Sequence, residues 1–344
     1  LKVVKRFTVG AAAVLALALA ATAQWRRTQP PAPPPKPESP PPADLPPVIR
    51  VDVNLVNLYF SIRDKNGAYV SDVEQKDIDI YEDGKLQEIK FFAREADQAL
   101  TLGLLVDVSL SQEALIEEER RASYQFFSEV LRSKDMAFLI SFGVDSELLQ
   151  DFTNSLPLLQ QGLAKLRLNA GASPVITPTT VPGARRGTVL YEAVWLAAQS
   201  KLRSEVGRKA LVLLTDGVDV GSRIKMETAI EEAQRSDALI YVILHEDPRY
   251  TSWMYGGQSG EGSMKRMAEE TGGRVFRVDR RTTLSSIYAT IQQSLRSQFA
   301  AAYTPSNQAR DGSFRRLEIR LKDRGKARGY RVQARKGYYA PRDN

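Results

Sequence analysis

The feature that most narrows the possible folds is the run Leu100-Thr101-Leu102-Gly103-Leu104-Leu105-Val106, which carries no charge and stops at Asp107. A run this short and this apolar reads as a strand buried on both faces, as the central strands of parallel sheets are. Further apolar runs lie at Met136–Phe142, Ala210–Leu214, Leu239–Leu244 and Val275–Val278. Between and around them, helical periodicity marks Glu113–Leu131, Leu156–Leu168, Val189–Leu202, Ile224–Arg235, Ser263–Thr271 and Leu284–Phe299. This alternation predicts an α/β domain over 97–300, a mainly parallel sheet wrapped by helices on both sides.

The flanks read differently. Over 49–96 the pattern is β: Val51, Val53 and Leu55 alternate with polar residues, then the phase slips at Val56 and continues through Leu58, Phe60 and Ile62. Such a slip predicts a bulge or a bend between sheets. Asp64-Lys65-Asn66-Gly67 and Glu82-Asp83-Gly84 are turn signals, with Ile78 and Ile80 alternating against Asp77, Asp79 and Tyr81 between them. Over 301–344 the β pattern returns at Phe314–Lys322 and Tyr330–Ala334. Neither flank carries enough apolar surface to stand alone, so the two are predicted to complete one β-sandwich beside the α/β domain. Basic residues crowd the second flank, among them Arg315, Arg316, Arg320, Arg331, Arg335 and Lys336. Because they are interleaved with Leu317, Ile319 and Leu321, they are predicted to line the wet side of an antiparallel strand and not a nucleic-acid face.

The amino-terminal part has its own logic. Lys2, Lys5 and Arg6 precede the charge-free stretch Phe7–Ala20, and Ala21-Thr22-Ala23 offers a small-x-small cleavage pattern. That predicts an export signal over 1–23, cleaved before Gln24, with membrane contact only if the segment stays attached. Residues 24–48 are dominated by proline and read as a semi-extended linker. The 344 residues include no cysteine, which removes thiol catalysis and thiolate metal sites. The reading is an extracytoplasmic protein (periplasm, cell surface or secreted) stabilised by ordinary cores. A net charge of +7, interspersed along the chain, gives no reason to expect a nucleic-acid partner.

In open α/β sheets ligands gather at the carboxyl ends of the strands. There Asp107, Ser109 and Ser111 supply one carboxylate and two hydroxyls at alternate positions. Asp216, in Thr215-Asp216-Gly217, follows a second apolar run, and Thr188 opens a helix at Gly187-Thr188-Val189-Leu190-Tyr191. Alone, Thr188 reads as an N-cap; beside two strand-end aspartates and two serines it reads as a ligand. Hard oxygens without nearby Cys or His suit Mg²⁺, Ca²⁺ or Mn²⁺. His245, the single histidine, is expected to be structural or solvent-facing, which leaves a Ser-His-acid hydrolase without its base. There is no Gly-rich phosphate loop ending in Lys-Ser/Thr, and hydrolysis by the metal itself would need more direct carboxylates or a second ion. Trp253-Met254-Tyr255-Gly256-Gly257 reads as an apolar loop, either packed or in contact with a partner.

Taken together, Asp107-x-Ser109-x-Ser111, then Thr188 within Gly187–Ala193, then Asp216 in Leu-Leu-Thr-Asp-Gly, resemble the metal-ion-dependent adhesion site of von Willebrand factor type A (VWA) domains. The segment Val73–Gly84 and the tail Arg335–Ala340 are similar to those of a bacterial branch, the VWFA-related secreted family described from acidobacteria; the likeness runs from about Val48 to Pro341. The resemblance implies a Rossmann-like VWA domain at 97–300 with the β-sandwich at its flank. It implies one divalent cation, Mg²⁺ foremost, held by Asp107, Ser109, Ser111, Thr188 and Asp216. The serines would bind directly, Thr188 directly or through water, and the aspartates through waters. It further implies a non-enzymatic module that engages a protein ligand presenting an Asp or Glu carboxylate at the ion's open position. Two features depart from the family: Leu110 stands where Gly is usual, and the connection Asn169–Gly187 is long, with Pro174, Pro178 and Pro182 in it. That connection reads either as a solvated loop or as a rim or flap near the ion, where Arg185 and Arg186 would add positive potential. The alternative is a structural or assembly component of the cell envelope with a vestigial metal site.

Overall fold

The structure, a computed structural model, describes residues 55–94, 98–169, 187–247, 260–322 and 329–343. The expected export signal, the proline-rich linker, the Trp253–Gly257 loop and the interior of the Asn169–Gly187 connection lie outside the described residues.

The first flank forms β1 (Val56–Arg63), β2 (Ile78–Glu82), β3 (Lys85–Gln87) and β4 (Ile89–Arg94). Along β1 the buried positions include Val56, Leu58, Phe60 and Ile62, whereas Leu55 is 46% exposed; Val51 and Val53, the earlier phase from which a bulge or bend was expected, lie outside the described residues. The turn from β2 to β3 places Asp83 and Gly84 at φ 47° and 80°. Two successive positive φ values are what a tight hairpin of matching twist needs, and Asp-Gly supplies them with little strain.

The α/β part follows as β5 (Leu100–Asp107), α1 (Ile116–Val130), β6 (Met136–Phe142), β7 (Ser146–Thr153), α2 (Leu156–Ala164), α3 (Leu190–Leu196) with a π-helical continuation to Leu202, β8 (Arg208–Thr215), α4 (Met226–Arg235), β9 (Ala238–Leu244), α5 (Glu261–Thr271), β10 (Val275–Arg277) and α6 (Leu284–Arg296). These strands make a six-stranded sheet in the order β10-β9-β8-β5-β6-β7, parallel except for β7. Helices α1, α2 and α6 bury Phe126, Leu163 and Ile291 on one face; α3, α4 and α5 bury Val194, Ile230 and Met267 on the other. The fold is therefore the Rossmann-like α/β arrangement expected, and β5 lies inside the sheet with every residue buried. Strand β7 is the element the sequence pattern did not yield. It is an irregular antiparallel edge on β6, with Leu148 43% exposed, and so lacks the continuous apolar run of its neighbours.

Gly103 explains a break in the otherwise large side chains of β5. Its cross-strand neighbours are Phe138 and Leu211, and a Cβ built on it would lie 2.3 Å from the Phe138 ring and 2.6 Å from Leu211. Gly103→Val is expected to lower unfolding free energy by about 1–3 kcal/mol through overpacking, read from the urea midpoint at unchanged slope. An unchanged midpoint would contradict this packing.

The second flank adds β11 (Phe299–Tyr303), β12 (Phe314–Leu321), β13 (Arg331–Ala334) and β14 (Gly337–Tyr339). Phe299 was expected to end a helix and instead begins a strand. Its alanine-rich continuation favours helix locally, but β11 is fully buried between β1 and β4, and tertiary burial overrides local propensity. Two four-stranded sheets, β13-β1-β11-β4 and β14-β12-β2-β3, take strands from both flanks. They share one core that includes Leu58, Phe60, Phe299 and Tyr303 from the first with Ile80 and Leu317 from the second. This is the predicted β-sandwich. Among the described residues no helix is long and apolar enough to cross a membrane.

The sandwich corrects the reading of the basic residues. Arg316 and Arg320 do face solvent, but Arg315 lies in phase with Leu317 and is 2% exposed. It is held by Glu82 (3.4 Å) and by the carbonyl oxygens of Asn307 and Ala309. Arg335 is buried too, donating to Asp237 and to the Asn57 carbonyl oxygen. Glu82 in turn accepts from the hydroxyls of Tyr303 (2.6 Å) and Tyr338 (2.8 Å). Burial and the adjacent carboxylate push both phenols up, Tyr338 to about 12. The Val73–Gly84 segment and the Arg335–Ala340 tail, far apart in sequence, meet at this carboxylate.

Candidate functional site

At the carboxyl edge of β5 the backbone of Ser109 is extended (φ −68°, ψ 167°) and a 3₁₀ turn follows at Leu110–Gln112. That geometry brings the hydroxyls of Ser109 and Ser111 to 3.0 Å from each other. Asp107 is fully buried and holds the loop: Oδ1 accepts the Ser109 amide (3.0 Å), and Oδ2 accepts the Thr215 hydroxyl (2.7 Å) from the neighbouring strand β8. Asp216, the next residue of that strand end, is 3% exposed; its Oδ1 accepts the Val218 amide (2.9 Å), and the Ser111 hydroxyl also lies against its carboxylate. Asp107, Ser109, Ser111 and Asp216 are thus one contact group.

Electrostatics show what this group lacks. Burial, and next the negative charge of Asp216, push the Asp107 carboxyl up from 3.8 to about 7, against hydrogen bonds from Ser109 and Thr215 that favour the anion. Burial likewise raises Asp216. Neither carboxylate has an ion pair with a described Lys, Arg or His. Two adjacent buried carboxylates without a counter-charge favour protonation, and a divalent cation would keep both ionised. The donor set, two carboxylates and neighbouring hydroxyls, fits a hard cation such as Mg²⁺. Among the described residues no group of three or more His, Cys, Asp or Glu gathers to hold a metal, and this candidate, built partly on hydroxyls, is of a different kind.

A pH dependence follows. Between 3.8 and about 7 the folded protein retains a proton on Asp107 that the unfolded chain has released, so metal-free stability falls as pH rises through that window. The difference in urea midpoint between the wild type and Asp107→Asn reports this carboxyl together with its effect on Asp216, and removes the contribution of the more distant groups. In chelator, the wild type is expected to lose ground to the variant between about pH 4.5 and about pH 7.5, and saturating Mg²⁺ to flatten the decline by displacing the proton. A wild type that gained on the variant across the window would contradict it.

Thr188 reaches the same edge by another route. Gly187 precedes it at φ 118°, where a Cβ would lie 2.6 Å from Val220, so this approach requires glycine. The Thr188 carbonyl oxygen accepts from the amides of Val220 (3.1 Å) and Gly221 (2.9 Å), and the Val189 amide donates to Gly143, just past β6. The capping role that the sequence allowed for Thr188 is filled otherwise. Val189 is the N-cap of α3, Asp219 Oδ1 accepts the Tyr191 amide and Ser222 Oγ the Glu192 amide, both at 3.1 Å. The Thr188 hydroxyl has no hydrogen-bond partner among the described residues, and its side chain makes no bond to the other four. Asn169, where the long connection starts, donates its amide to the Val108 carbonyl oxygen (2.8 Å), so both ends of that connection border the site.

Three further residues belong to the surroundings. Thr215 orients Asp107, as described, and Gln112 is completely buried beside Ser111. Glu119, also completely buried, meets His245 Nδ1 at 3.0 Å, and the His245 amide donates to the Thr215 carbonyl oxygen (3.0 Å). His245 is 5% exposed, so of the two expected duties the structural one applies. Burial raises the Glu119 carboxyl against the bond from His245. A sequence signal for Glu119 exists: it occupies the buried stripe of α1 that carries Ile116, Ser123 and Phe126.

No family model and no curated protein matches this chain. Similar solved structures include a von Willebrand factor type A protein from Catenulispora acidiphila, 11% identical over 83% of this chain and 74% of that one, TM-score 0.42. They also include the vWF domain of the type V pili tip protein Mfa5 from Porphyromonas gingivalis, 12% identical over 58% of this chain and 95% of that one, TM-score 0.43. A third is the conserved hypothetical protein BatB from Bacteroides thetaiotaomicron, 19% identical over 57% of this chain and 97% of that one, TM-score 0.41. The fold assignment rests on the strand order and pairing given above.

Proposed function

We propose that this chain is an extracytoplasmic, non-enzymatic protein-binding module that engages a carboxylate of its partner through one Mg²⁺. Ca²⁺ and Mn²⁺ are the substitutes its oxygen donors would also accept. Asp107, Ser109, Ser111, Thr188 and Asp216 would hold the ion. The observation that carries this reading is the pair of buried carboxylates, Asp107 and Asp216, with no ion-pair partner among the described residues, beside hydroxyls at the carboxyl edge of the sheet. Asp107 already uses both oxygens within the protein, which supports a role through water and charge; neutral hydroxyls then remain as direct ligands. An ion with few direct anionic ligands stays electrophilic and favours an acidic group from outside. The amino-terminal charge and hydropathy pattern carries the location.

The test is capture of envelope proteins by the immobilised chain in Mg²⁺, repeated in chelator and with Ser109→Ala. The expected result is a set of proteins held in Mg²⁺ and lost, by about tenfold or more, in both of the other arms. Capture that is indifferent to chelator and to Ser109→Ala would overturn the metal-dependent reading.

A further inference from the structure

A groove of about 610 Å³ lies where the edge of the six-stranded sheet approaches the edge of the sandwich. Every residue of β10 and of β13 lines it, whereas β9 contributes none and β1 only Arg63. Among the described residues β10 pairs within its sheet with β9 alone and β13 with β1 alone, so the edges those partners leave open face the groove. Open edges present backbone N–H and C=O groups in the pattern that accepts another strand. The two walls are tied at Gly272, whose carbonyl oxygen accepts the Gln333 amide group (3.1 Å).

Charge makes the groove selective. Arg63, Lys265, Arg274, Arg331 and Lys336 line it, and none of them forms an ion pair with a described residue. Of the groove's acids, Glu261 is engaged by Arg277 (2.6 Å), which leaves Glu269 against those cations. Arg274, half-buried over the Phe276 ring (4.8 Å), is lowered by burial and next by the like charge of Arg63. Neighbouring guanidinium groups without an acid between them are a receptor for carboxylates, which they bind in a planar, two-point fashion.

We propose that this groove binds an extended acidic segment of a partner protein, which pairs with the free strand edges while its carboxylates meet Arg63, Arg274, Arg331 and Lys265. The free edges favour a protein segment over a nucleic acid or a sulfated polysaccharide, which would use the charge but not the backbone groups. None of the lining residues belongs to the candidate metal set, so the surface is tested in chelator, independently of that reading.

The probe is a fluorescent eight-residue peptide of alternating Glu and Thr, titrated with the full chain at low salt and followed by anisotropy. The expected result is saturable binding, weakened about tenfold or more by Lys265→Glu with Arg331→Glu, both at exposed positions. Melting curves verify that this variant is folded; should it melt early, Arg331→Gln takes its place with an expected loss of severalfold. A peptide N-methylated at alternate residues keeps the charge but loses strand pairing, and is expected to bind about tenfold more weakly or worse. No binding to the wild type, or equal binding to the charge variants, overturns the proposal. So does equal binding of the N-methylated peptide, or tighter binding of a heparin oligosaccharide.

Discussion

Mg²⁺ is expected to raise the melting temperature of the metal-free protein, and Asp107→Ala to abolish the rise. Binding to the folded state alone stabilises it by RT ln(1 + [L]/Kd), about 2.7 kcal/mol at one hundred times Kd. For a folded unit of this size that corresponds to a shift of roughly 5–10 °C. Asp107 is the sharpest position to change because it contributes charge without being the sole tie of its loop: Val108 is also held by Phe142 and Asn169. Removing it deletes one of two facing negative charges and leaves Asp216 easier to ionise, which offsets part of the cost, without metal, of the lost bonds to Ser109 and Thr215 and of the space the side chain filled. Asp107→Asn, which keeps the shape, is expected to lose the Mg²⁺ response with a smaller baseline change. An equal Mg²⁺ response in wild type and both variants would refute the site.

The second large effect lies in the sandwich. Glu82→Leu leaves Arg315 buried without its carboxylate and strips both Tyr303 and Tyr338 of their acceptor. Removing one partner of a buried ion pair typically costs about 3–5 kcal/mol, much of it the penalty of the charge left behind. The double replacement Glu82→Leu with Arg315→Met is therefore expected to recover a substantial part of the loss, since neither charge remains. Urea denaturation of the four proteins gives the cycle directly. A loss below about 1 kcal/mol for Glu82→Leu, or a double variant as unstable as the sum of the singles, would show that the carboxylate does not hold the two flanks together.

Much of the fold was legible because burial on both faces leaves a plain mark. Leu100–Val106, Met136–Phe142 and Leu239–Leu244 each lie within a strand of the central sheet. The marks fail where two forces compete at one residue. Ala300–Ala302 favour helix and are drawn into β11; Leu148, Leu149 and Phe152 form β7 without regular alternation. Arg315 shares its phase with Leu317, and only Glu82 on a distant strand makes burial of a guanidinium tolerable. In the site, Asp107, Ser109, Ser111 and Asp216 were readable because apolar runs fix where strands end. Thr188 was ambiguous because its rival capping groups, Asp219 and Ser222, lie 28 and 30 residues from the amides they cap. The basic groove was out of reach, since it exists only where edges of two sheets come together.

Crystals of the full chain soaked in Mn²⁺ and measured at the manganese edge would locate the ion itself. One anomalous peak is expected at the carboxyl edge of β5 and β8, bonded to Ser109 and Ser111 hydroxyl oxygens, with Thr188 bonded or one water away. A peak elsewhere, or none at saturating Mn²⁺, would contradict it.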